Sequence, residues 1–189
     1  MNKILKTLIN TDAILDGHFL LTSGKHSAKY IEKFRLLENP KSLDFICKTI
    51  AENYKNEKID IVLGAAIGGI LIAGGVGRHL DVKNIFTERI KGKMELRRDF
   101  EIKKNDRVLI VEDIVTTGGS IKELIDVAED CAADIIGIAS ILDRNLELVD
   151  FKYKYSPLVQ YSVESWSEKN CPSCKKNLSI TKRGRSGKK

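Results

Sequence analysis

Apolar residues at helical spacing open the chain. Ile4, Leu5, Leu8, Ile9, Ile14 and Leu15 place a helix across residues 2–16, with Gly17 as its stop. Residues 18–37 break into short apolar runs around Ser23-Gly24, the pattern of strands joined by a turn. Pro40 at the start, with Leu43, Ile46, Cys47 and Ile50 on one face, predicts a helix over residues 40–55. Strand and helix patterns then alternate. Ile59–Leu63, Lys83–Thr87, Arg107–Val111, Asp134–Leu142 and Leu158–Val163 read as strands, Gly69–Leu80 and Ser120–Cys131 as helices. The near-continuous apolar runs predict an α/β fold, a mostly parallel sheet covered by helices on both faces. Ligands of such sheets bind beyond the carboxyl ends of the strands, which points to the residues after 63, 87, 111 and 142.

The segment after the most apolar strand carries the densest chemistry: Glu112, Asp113, Ile114, Val115, Thr116, Thr117, Gly118, Gly119 and Ser120. Two adjacent carboxylates at a strand end are costly to bury unless they meet hydroxyls or a cation. The glycines let backbone approach a ligand closely, and free amides at a helix start bind phosphate. An acid pair followed by a phosphate cradle suits a ribose 5-phosphate. A plain helix cap would use the same Thr, Gly and Ser residues, but it leaves the acid pair unexplained. Neither GxxxxGK[ST] nor GxGxxG is present.

Charge and cysteines narrow the field. The formal charge is +6, but residues 175–189 hold seven basic residues and no acid, leaving one net negative charge on the remainder. The body is therefore not a basic nucleic-acid-binding surface, and residues 176–189 read as a basic, at least partly disordered tail behind a single domain over 1–175. No run approaches the ~18 apolar residues of a membrane span, and the N-terminus lacks a secretory h-region, so a cytoplasmic protein is expected. Cys47 and Cys131 fit buried free thiols. Cys171 and Cys174 have the spacing of half a zinc site, but no second pair follows them, which favours a loop or turn.

The run Val108–Ser120 resembles the phosphoribosyl-pyrophosphate signature of type I phosphoribosyltransferases. Three further segments resemble the orotate phosphoribosyltransferases among them: Gly17–Ser27 with Tyr30, the orotate-binding segment; Gly64–Ile70, the pyrophosphate loop; and Phe86–Phe100, the mobile catalytic loop. The resemblance spans residues 10–185. It implies the type I fold, a central mostly parallel sheet with a small hood drawn from residues 1–37 and the C-terminal strand region. It also implies transfer of a phosphoribosyl group to orotate, with Mg²⁺ held by substrate and water near Glu112 and Asp113 rather than by direct protein ligands.

By the same resemblance, Glu112, Asp113 and residues 114–120 hold the donor. Lys25, Thr116 and Arg144 meet orotate, with His26 a bystander. Arg89, Lys91 and Lys93 serve the pyrophosphate, Lys91 and Lys93 acting with Asp113 in catalysis. Family members are homodimers whose loop, here 88–98, reaches into the partner's site. Ile67-Gly68 replaces a Tyr-Lys pair found in some relatives, and residues 89–100 lack their loop histidine. A phosphoribosyltransferase for another base, or a non-catalytic sensor of the donor, stays open at this stage.

Overall fold

The computed structural model describes residues 2–183. Helix α1 (Lys3–Asn10) is capped by the Asn2 side chain, which accepts from the Ile4 amide. It stops well short of the expected residue 16. Asp12 turns the chain with φ 51°, and Ile14 and Leu15 enter strand β1 (Ile14–Leu20), opposite Ile31 and Tyr30 of β2 (His26–Ile31). Pairing with a partner strand overrides a helical spacing that was only local.

Helix α2 (Lys33–Leu37) follows, unanticipated. Helix α3 (Pro40–Tyr54) begins where Pro40 predicts, with the Asn39 side chain accepting from the Ser42 amide. The alternation then unfolds as β3 (Ile61–Ala65), α4 (Gly68–Leu80), β4 (Lys83–Ile90), β5 (Lys93–Leu96), β6 (Arg107–Val115), α5 (Gly119–Asp130), β7 (Asp134–Asp143) and β8 (Tyr155–Gln160). These strands form one sheet in the order β5-β4-β3-β6-β7-β8, parallel throughout except for the antiparallel edge strand β5. The last strand lies three residues earlier than its apolar run suggested.

Neighbouring residues of the central strands feed opposite cores, as the two-residue period of a strand requires. Val62 and Leu109 join Ile46, Ile50 and Ile72 on one face; Leu63 and Ile110 join Ile121, Leu124 and Ile138 on the other. Each such fully buried aliphatic side chain contributes roughly 1.5–3 kcal/mol, which fixes the strand ends that carry the site.

A second sheet, β2-β1-β9, lies outside this body. Its strand β9 (Thr181–Lys182) runs parallel to β1, and Arg183 pairs with Glu32 at 3.5 Å. The stretch expected as a tail from 176 is thus built into structure as far as Arg183, because the free edge of β1 accepts it; residues 184–189 lie outside the described residues. The short helix α6 (Pro172–Lys175) holds Cys171 and Cys174 against His18 and His26. The expected loop or turn is therefore a short helix, and its two cysteine side chains lie beside histidines far upstream, in β1 and β2. No helix among the described residues is long and apolar enough to cross a membrane.

Candidate active site

Strand β6 runs four residues beyond its predicted end, so Glu112 and Asp113 stand inside the strand and not after it. They are 7% and 3% exposed. Backbone amides meet them locally: the Asp113 N–H donates to Glu112 Oε1 at 2.9 Å, and the Ile114 N–H donates to Asp113 Oδ1 at 2.6 Å. Lys33 Nζ, at the start of α2, lies 2.5 Å from Asp113 Oδ2. That oxygen has no aligned hydrogen-bond donor among the described residues, so the contact with Lys33 is an ion pair of imperfect alignment. Gly68 provides the space for it: a Cβ there would fall 1.7 Å from Asp113 Oδ2.

Burial, with the Asp113 charge beside it, pushes the Glu112 carboxyl up to about 8. Between the ordinary carboxyl range and that value, the folded protein keeps a proton that the unfolded chain has released. The stability is therefore full at low pH and drains as pH climbs to about 8. Glu112→Gln should melt progressively higher than the parent as pH rises from about 5 to 8. A melting difference that stays flat across that range would remove the buried charge from the account.

Downstream, residues Val115–Ile121 and Glu112 line a small cavity at the start of α5. Gly118 occupies the N-cap position with φ 75°, and no side chain caps the helix. This favours a ligand cradle over a plain cap: the first-turn amides of a 12-residue helix are left to an external acceptor. An adjoining cleft is bounded by Lys33, Ala65–Gly68, Arg89, Met94, Glu112–Ile114 and Ser120.

The other expected residues divide. Arg144 follows β7; its amide donates to the Val115 carbonyl at 2.9 Å, beside the cradle. Its Nε is buried without a partner among the described residues, and burial holds the guanidinium below the usual arginine range, offset by Tyr30. Asp143 does not pair with it. Asp143 turns inward to accept from the Asn145 amide and side chain at 2.7 and 2.8 Å.

Segment 88–98, expected as a loop, is mostly a β-hairpin: Arg89 faces Met94 across it, and Lys91 and Gly92 form the turn with φ 47° and 92°. Gly92 and the positive φ at Lys91 suit a two-residue hairpin turn. Arg89 lines the cleft while bound to Glu123 of α5 at 2.9 Å. Lys91 and Lys93 are exposed, as is Lys25 in the β1–β2 turn, and none of the three lines the cleft. Lys33 was missed; only the fold brings it to Asp113, 80 residues on in the chain.

Residues 35–169 match the phosphoribosyl transferase domain family. The orotate phosphoribosyltransferase of Caldicellulosiruptor bescii is 38% identical over 186 residues, covering 97% of this chain and 98% of its own. That of Thermotoga maritima is 37% identical, covering 98% and 100%. The crystal structure of the orotate phosphoribosyltransferase from Aeropyrum pernix is similar with a TM-score of 0.72 at 25% identity, over 83% of this chain and 93% of that one. Sharing this identity with relatives along nearly its whole length, the chain belongs to the orotate phosphoribosyltransferase family.

Proposed function

We propose that the chain transfers the 5-phosphoribosyl group of phosphoribosyl pyrophosphate to orotate, giving orotidine 5′-monophosphate and pyrophosphate, a pentosyltransferase step of pyrimidine synthesis. One observation carries the reading: a buried acid pair continues into a helix start that no side chain caps. Hydroxyl acceptors at one end and amide donors at the other match the two ends of a ribose 5-phosphate. Residues 114–120 take the phosphate. Glu112 and Asp113 accept the ribose hydroxyls, and the Asp113 carboxylate offsets the positive charge that develops at C1 as the leaving group departs.

The Asp113 carboxylate beside the Glu112 carboxyl, at the floor of a cleft that also presents Lys33 and Arg89, fits a Mg²⁺ bound by substrate oxygens and water, which the acid pair would orient. When bound, the cation neutralises pyrophosphate. Lys91 in the turn and Lys93 at the start of β5 are exposed and do not line their own cleft. That supports a homodimer in which hairpin 88–98 serves the partner's pyrophosphate, with Arg89 acting from its place at the cleft wall. Lys25 is assigned to orotate on family resemblance alone. The cytoplasm is the compartment assigned, in keeping with four cysteines that form no disulfide.

Arg144 and Thr116 select the base. A half-buried guanidinium whose Nε–H is buried and unmet among the described residues suits the orotate carboxylate, which adenine, guanine and uracil lack. Steady-state assays of the four bases with Mg²⁺ and the donor test the assignment; purine turnover without orotate turnover overturns it. Arg144→Ala should raise the KM for orotate about ten- to a hundredfold, the worth of a charge-assisted pair of roughly 1.5–3 kcal/mol, with the donor KM unchanged. An effect confined to the donor would contradict the role.

A further inference from the structure

Far along the chain from the acid pair, four side chains from two distant stretches converge: His18 of β1, His26 of β2, and Cys171 and Cys174 flanking the start of α6 and within it. Their ligand atoms all lie within 4.8 Å of one another. Both histidines and Cys171 are nearly inaccessible, at 4%, 3% and 0% exposure. We propose that these four residues bind a zinc ion that staples the C-terminal segment to the β1–β2 hairpin.

The separations fit such an ion. Across a tetrahedral zinc, bond lengths of about 2.3 Å to sulfur and 2.05 Å to nitrogen put S and N about 3.5 Å apart. His18 Nε2 lies 3.5 Å from Cys171 Sγ and 3.6 Å from Cys174 Sγ, and His26 Nδ1 lies 3.2 Å from Cys174 Sγ. The two ring nitrogens are 2.9 Å apart, somewhat closer than a bound ion would hold them.

The surroundings orient the ligands. His18 Nδ1 lies 2.8 Å from the Leu178 carbonyl oxygen, to which it donates. That fixes the tautomer and turns the lone pair of Nε2 toward the cluster, the outer-shell arrangement of a metal-binding histidine. The pairing of β1 with β2 slips between Asp16 and Phe19, and this irregularity presents His18 to the cluster. His26 is held by a two-way backbone pairing with Trp166, at 2.7 and 2.8 Å.

Hydrogen bonding alone does not satisfy the group. His18 Nε2 has one lone pair but faces three partners, His26 Nδ1 and two sulfurs. A single cation at the centre meets all four at once. A closed set of two thiolates and two imidazoles, with no position left for substrate, is the donor set of structural zinc. The segment also needs such a tie. None of residues 164–183 belongs to either apolar core, so little else than short backbone pairings and surface contacts secures it.

The experiment uses the full chain, purified without chelator from zinc-supplied cells. Mass spectrometry of metals should find one zinc per chain. Exchange for Co²⁺ should give the sulfur-to-metal charge-transfer band and the intense visible bands of a tetrahedral site. The Cys171→Ser/Cys174→Ser pair should abolish both signals. X-ray absorption at the zinc edge of the parent protein should show two sulfur and two nitrogen neighbours, a readout that stands even if the double variant does not fold. Folded parent protein with only trace metal and no cobalt spectrum overturns the proposal. So does a Cys171–Cys174 disulfide in that protein, or stoichiometric zinc persisting in the double variant.

Discussion

Asp113→Asn should lower turnover by on the order of a hundredfold or more, with the fold intact. The substitution keeps the shape of the side chain and removes the charge proposed to face the developing cation at C1. It also disturbs two contacts. Asp113 Oδ1 accepts from the Ile114 amide and Oδ2 meets the Lys33 ammonium, and an amide side chain has only one oxygen to offer both. Whichever contact takes the oxygen, the other faces an N–H₂ group. Steady-state kinetics with orotate and the donor, alongside circular-dichroism melting, measure the two effects separately. Unchanged kcat would take the carboxylate out of the mechanism.

Gly68→Ala should cost activity on a similar scale without touching any charge. A methyl group at this position falls 1.7 Å from Asp113 Oδ2 and 2.8 Å from its Cγ, so the carboxylate must leave its place or the start of α4 must move. Overpacking of this kind costs typically about 1–3 kcal/mol in stability. Its larger effect here is on alignment, since misplacing a catalytic group by about an ångström can cost a hundredfold in rate. Combined with Asp113→Asn, the loss should be far from multiplicative, because both changes act through one carboxylate. Fully multiplicative losses would mean that Gly68 acts by another route.

The body of the fold was legible because its signals are local. Pro40 marks the start of α3, and the apolar run of β6 and the one-faced pattern of α5 need no distant information. Failures occur where a distant partner decides. Ile14 and Leu15 fit a helix by spacing yet pair with β2. Segment 88–98 pairs with itself as a hairpin on the edge of the sheet, and the acid pair lies inside β6 because strand pairing with β7 continues past it to Val115.

The site divides in the same way. Glu112, Asp113 and the glycine-rich turn are contiguous and could be read from the chain. Lys33 reaches Asp113 only through the fold. For Cys171 and Cys174 no second pair follows in the chain, whereas His18 lies 153 residues upstream of Cys171. Ligand spacing identifies half a site when the other half comes from a different sheet strand.

The bare start of α5 also has a bearing on bench practice. A row of amides with no resident side-chain acceptor does not discriminate among small oxyanions, so phosphate or sulfate in a storage solution would occupy the seat proposed for the sugar's phosphate. Such salts would flatter the protein's apparent robustness while masking its affinity for the true donor, since an ion that binds only the folded form stabilises it by mass action. Solutions of chloride and a bulky amine buffer leave that seat open.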